Sequence, residues 1–155
     1  MIKKRLLALA KFLRKVPDKQ FDLGTWRENN FEDDYSLVAD STKGYQITSA
    51  PSCGTTACAV GWGCAMPEFQ KLGLKMILDP DEFSNFYPKF KEFTGFEAVS
   101  EFFGISDREA RYIFTIDAYG DEPISAKDVA ARIEKFVTES GISPSEMNYL
   151  YKLLT

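Results

Sequence analysis

The sequence predicts a single, mainly α-helical compact domain of about six or seven helices, with room for a small two-stranded β-sheet. Three observations carry this reading. The 155 residues, 45% hydrophobic and 27% charged, suffice to close one core but not two. Helix caps and a 3.6-residue apolar period recur from residue 53 onward. No stretch approaches the roughly 20 apolar residues that cross a bilayer, so a soluble chain without a membrane span is expected.

Residues 1–17 read as a basic amphipathic helix. At about 100° per residue, Ile2, Leu6, Leu9, Ala10, Phe12, Leu13 and Val16 fall on one side, and Lys3, Lys4, Lys11, Arg14 and Lys15 on the other. Pro17-Asp18 ends the helix. The first fifteen residues hold six basic side chains and no acid, whereas the rest of the chain holds 13 basic and 23 acidic ones. The plain expectation is that this helix packs on the protein's own acidic body; contact with phosphate or anionic lipid is the alternative. Lys11 cuts the apolar run 6–10 short of a secretory signal, so no export is expected. Three cysteines, an odd number, then fit a reducing cytoplasm.

Residues 18–52 show little helical period and read as an irregular connection with turn signals at Asn29-Asn30 and Lys43-Gly44. Within it, Tyr45-Gln46-Ile47-Thr48 alternates apolar and polar as a short strand does, and Leu74-Lys75-Met76-Ile77-Leu78 is its best partner. Residues 53–155 read as the helical core. Thr55 or Thr56 caps a helix over 55–66, the expected centre of the fold, and Pro67 opens a short turn through Leu72. A segment from Asp79, interrupted at Pro88, is filled by Phe83, Phe86, Tyr87, Phe90, Phe93 and Phe96, read as core rather than as a ligand cage. Gly104 closes a helix over 96–103. Capping boxes at Ser106 with Glu109 and Ser125 with Asp128 open the next two, the second with a core face of Val129, Ile133, Phe136 and Val137. Ser143-Pro144-Ser145-Glu146 opens the last.

The stretch CGTTACAVGWGCAM at 53–66 stands out, because Val60, Trp62 and Met66 are its only large side chains. Glycine inside a helix costs roughly 1 kcal/mol relative to alanine, so Gly61 and Gly63 imply that another part of the chain comes close. Tight packing is the plain reading, with Trp62 covering the flank. The functional reading makes a turn of Cys53, Gly54, Thr55, Thr56 and Cys58, flanked by Trp26 and Trp62. There Cys58, in a first helical turn, would be a depressed-pKa thiol that Cys53 could resolve. These two cysteines are the only candidate catalytic residues of that kind.

Other chemistries are narrowed by what the chain lacks. It contains no histidine, which excludes Ser/His/Asp and Cys/His catalysis, HExxH metalloprotease sites and Cys/His zinc fingers. Cys58 and Cys64 point about 240° apart on a helix and cannot share an ion, so no metal is expected. No phosphate-binding glycine motif is present, and no cofactor is expected. The carboxylates Glu32, Asp33, Asp34, Asp79, Asp81, Glu82, Asp117, Asp121 and Glu122 sit in turns, where capping or solvation is their ordinary role. The pair over 96–115 has a helix-turn-helix layout, but Asp107-Arg108-Glu109-Ala110-Arg111-Tyr112 balances two arginines with two acids, so nucleic-acid binding is disfavoured.

Three stretches together carry a resemblance: FDLGTW at 21–26, CGTTACAVGWGCAMPEF at 53–69, and GFEAVSEFFGISDREARYIF at 95–114 with DVAARI at 128–133. They resemble a family of small bacterial and phage proteins built around a CGTxxCxxGW segment and a following GFxAxxxFFGIS helical pair. The family has no assigned activity, so the resemblance implies one compact intracellular domain and transfers no site residue. The leading expectation is a non-enzymatic, cytoplasmic accessory protein that binds a protein partner or itself, with Phe31, Tyr35 or Tyr119 as anchors. A thiol-dependent enzyme or redox sensor using Cys58 and Cys53, and a helix-turn-helix DNA-binding regulator, are the alternatives.

Overall fold

The computed structural model describes residues 1–28, 37–40, 44–47, 51, 56–79, 85–120 and 123–154. Seven α-helices are joined by two antiparallel sheets among these residues, so the fold is mixed α and β rather than mainly α. The helices are α1 (Lys3–Leu13), α2 (Ala59–Gly63), α3 (Pro67–Lys71), α4 (Gly95–Phe103), α5 (Asp107–Phe114), α6 (Ala126–Thr138) and α7 (Pro144–Leu154). The strands are β1 (Arg27–Glu28), β2 (Leu37–Asp40), β3 (Gly44–Ile47), β4 (Thr56–Ala57), β5 (Lys75–Leu78), β6 (Phe86–Phe90) and β7 (Phe93–Thr94).

The larger sheet runs in the order β2-β3-β5-β6-β7, and β1 pairs with β4 in a separate ribbon. The expected pairing of 45–48 with 74–78 is present, with Tyr45 opposite Leu78 and Ile47 opposite Met76. The strands around it overturn the all-helical core. Phe83, Phe86, Phe90 and Phe93 are spaced as on a helix, but Phe86 and Phe90 stand four apart, a spacing that also keeps both on one face of a strand. Pro88 lies between them and excludes the helix interior. In β6, Phe86, Pro88 and Phe90 are buried while Tyr87 and Lys89 are half-buried. Pairing with β7 stops at Lys89, so proline's missing N–H lies beyond the reach of that strand. The connection over 18–52 likewise contains β1, β2 and β3.

Helices cover the sheet and one another. α1 lies against α6, burying Leu6, Leu9, Ala10 and Leu13 against the face that carries Val129, Ile133 and Phe136. α4 packs on β6 and β7, where the Phe102 ring meets Phe69 at 4.9 Å and Phe90 at 5.2 Å edge to face. The Arg5 guanidinium stands 4.5 Å over that ring and donates to the Phe102 carbonyl at 2.7 Å. Gly104 ends α4 with φ 64°, the left-handed conformation glycine adopts most cheaply. Both expected capping boxes are formed, at Ser106 with Glu109 and at Ser125 with Asp128. No helix among the described residues is long and apolar enough to cross a membrane.

The last helix is held by one carboxylate. Glu146 accepts from the Ser143 N–H and hydroxyl through Oε2, and from Tyr112 and Lys135 at 2.6 Å each through Oε1. Partial burial alone would raise its pKa. The bonds from Lys135, Ser143 and Tyr112 outweigh that and carry it from an ordinary 4.5 down to about 2. A carboxylate with a depressed folded-state pKa contributes stability that is complete above the unfolded value and lost as pH falls through the folded one. Glu146→Gln is therefore expected to destabilise the protein by on the order of 1 kcal/mol at neutral pH. In urea melts across pH, the gap between variant and parent should hold above about 4.5 and close toward 2; a gap independent of pH contradicts the assignment.

Candidate functional site

The unusual segment begins one step later than its sequence suggests. Thr56 and Ala57 form β4, pairing with Glu28 and Arg27, and the helix starts only at Ala59. Cys58, not Thr55 or Thr56, is its N-cap: the backbone is extended there, and Sγ accepts from the Gly61 N–H at 3.4 Å. The Cys58 N–H donates to the Thr25 carbonyl at 2.9 Å, and its thiol points at the Trp26 carbonyl at 3.9 Å. The expected helix over 55–66 is thus a strand, a five-residue helix and a turn, because pairing with β1 claims the residues that would have capped it.

The inference of close approach holds at Gly61 and only loosely at Gly63. A Cβ on Gly61 would lie 1.9 Å from the Trp26 carbonyl oxygen and 2.8 Å from the Ala57 Cβ. One on Gly63 would meet Leu9 no nearer than 3.4 Å. Trp62 is buried beside Phe12, with ring centroids 6.1 Å apart, and its Nε1 donates to the Gln20 carbonyl at 2.9 Å.

Burial also decides the thiol chemistry. Cys58 is 2% exposed, and desolvation pushes its pKa up to about 12, against the pull of the N–H groups of Gly61 and Val60. Desolvation drives the Cys64 thiol up as well, aided by Cys58 and opposed by Arg27. The depressed pKa expected of a helix terminus does not arise, because desolvation of the buried thiol outweighs the field of a five-residue helix. Cys53, Gly54 and Thr55 lie outside the described residues, as do Glu32, Asp33, Asp34, Asp81, Glu82, Asp121, Glu122, Phe31 and Tyr35. Asp117 is exposed. Tyr119 is not an exposed anchor: its hydroxyl donates to the Ile113 carbonyl at 2.6 Å, and Arg132 stacks on its ring at 3.5 Å. Among the described residues, no group of three acidic or cysteine side chains could hold a metal ion.

What the turn does border is a cleft of about 330 Å³. The loop 23–27 and Cys58 form one wall; Phe86, Phe96 and the end of α5 at 114–116 form the other. Trp26 is half-buried and tilts against Phe96 with centroids 5.1 Å apart, and the Arg111 guanidinium stands over the Phe96 ring at 4.6 Å. Ile116 stands 45% exposed at the rim. Within the wall, Thr115 Oγ1 is buried without a hydrogen-bond partner among the described residues. Arg27 is the one buried charged side chain among the described residues. Trp26 and Cys58 were legible as flanks of the turn, whereas Phe96, Thr115 and Ile116 were not, since nothing local in the sequence places the end of α5 beside residue 26.

Arg111 pairs with Asp107 at 2.9 Å while covering Phe96, and Arg108 reaches Met147 Sδ at 3.7 Å. No protein-family model, curated protein or solved structure matches the chain.

If Cys58 serves as a cap in a sealed core, Cys58→Ser should stay within about 1 kcal/mol of the parent, since a serine hydroxyl can accept from Gly61 and donate toward Trp26. Cys58→Val, which keeps bulk but loses the acceptor, should cost about 1–3 kcal/mol. Equal melting points for the two variants would contradict the capping role.

Proposed function

We propose that the protein is a non-enzymatic interaction protein that takes a large apolar or aromatic side chain of a partner protein in the cleft between Trp26 and Phe96. The observation that carries this reading is the cleft's wall. Trp26, Phe86, Phe96, Phe114 and Ile116 supply apolar and aromatic surface, and the described lining holds no carboxylate to act as acid or base. Half-buried aromatic rings with an exposed aliphatic rim suit the anchor residues that dominate protein interfaces. A reducing, cytoplasmic setting suits Cys58 and Cys64, which are free and buried. The resemblance to small bacterial and phage proteins is the ground for inferring a bacterial or phage origin.

Selection of displayed random peptides on the folded protein tests the reading. Enriched peptides should share an aromatic or large aliphatic residue, and their binding should fall at least tenfold on Ile116→Glu but not on Leu72→Glu, a change at a position 49% exposed and outside the cleft wall. Peptides without such an anchor, or unaffected by Ile116→Glu, would overturn it. Native-state alkylation resolved by cysteine addresses the thiol-enzyme alternative: Cys58 should stay unmodified until the protein unfolds, and labelling faster than a free thiol at neutral pH would restore that alternative.

A further inference from the structure

We propose that the outer face of α1 docks the protein on an anionic lipid bilayer. Its inner face is spent on the core through Leu6, Leu9, Ala10 and Leu13. On the outer side, Lys4, Leu7 and Lys11 follow one another at helical spacing and are all exposed, with Lys3 beside them and the exposed Lys15 in the turn just past the helix end. From Lys4 to Lys11 the row extends about 10 Å along the helix axis, and Lys15 continues it past the helix end. Arg14, the other cation on this side, is engaged by Glu134 on α6 at 2.8 Å, which satisfies that acid locally and leaves it little field to set against the lysines.

Two features favour lipid over nucleic acid as the occupant. The chain as a whole is acidic, with net charge -4, so binding must come from a local patch pressed against a dense anionic plane rather than from the general field. One exposed apolar side chain, Leu7, lies within the lysine row, and two more stand at the helix entry. Of the five large hydrophobic residues exposed among the described ones, Met1 at 39%, Ile2 at 37% and Leu7 at 43% belong to this helix or its entry. A sugar-phosphate backbone gives Leu7 nothing to bury against. At a bilayer interface Leu7 can enter the headgroup boundary while the lysine stems lie flat and their ammonium groups meet lipid phosphates. The helix is already folded and braced by α6, so docking orders no new segment.

Sedimentation of the full chain with phosphatidylcholine vesicles, with and without phosphatidylglycerol, tests this. Binding should appear only on the anionic vesicles, weaken with added salt, and fall about fivefold for each lysine removed, so that K4Q/K11Q/K15Q loses more than a hundredfold. Leu7→Gln should weaken vesicle binding without changing the salt dependence. All four positions are exposed, and an unchanged circular dichroism melt verifies that the variants fold. Absence of vesicle binding, equal binding to both vesicle types, or binding unaffected by the lysine changes overturns the proposal. So does a low-salt shift of duplex DNA that the same lysines control without vesicle binding.

Discussion

The carbonyl oxygen of Trp26 occupies the space where a side chain at position 61 would begin. That contact brings the loop 22–27 flush against α2, and much of the molecule's middle is arranged around it. The Asp22 N–H reaches the Ala57 carbonyl and the Cys58 N–H reaches the Thr25 carbonyl, so two short backbone crossings tie the loop to the β4-α2 junction. Hydrogen bonds of this kind form only when the two main chains lie within a few ångströms, and a Cβ at 61 would hold them apart. The small residues of the segment therefore act as spacers of minimum thickness, and Cys58 combines that smallness with a sulfur able to cap the short helix.

The same contact positions the cleft. Trp26 is turned outward by a backbone whose carbonyl is committed inward, so its ring falls on Phe96 and opens a wall facing the end of α5. Packing also sets the state of the thiols: desolvation raises the pKa of Cys58 and Cys64, while the rings of Trp26 and Phe96 stand at the cleft. The basic helix meets this segment through Phe12 against Trp62 and is fixed further by α6 and by the Arg5 contact with Phe102.

Legibility in the sequence tracked how local each determinant is. Capping boxes at Ser106 and Ser125, the glycine at 104 and the amphipathic face of α1 are written within a few residues, and the structure reproduces them. The close approach at Gly61 was readable from composition alone. The strands were harder, because β1, β4 and β7 have two residues each and carry no period to detect. β6 was ambiguous for a different reason, since aromatic residues four apart satisfy both helix and strand spacing, and only Pro88 argued between them. The cleft was out of reach because residues 26, 58, 96 and 116 meet only through tertiary packing. The role of Cys58 reversed for a related reason: its helical position suggested activation, but the burial that opposes activation is a property of the whole fold.

The central claim is that position 61 is glycine because a main chain lies against it. Urea denaturation of Gly61→Ala and Gly63→Ala tests this most directly, because both changes add one methyl within the same short helix and gain the same intrinsic helix propensity. Gly61→Ala should lose about 3 kcal/mol or more, because the methyl meets backbone that cannot step aside, and Gly63→Ala should stay within about 1 kcal/mol of the parent. Two variants of equal stability would contradict it.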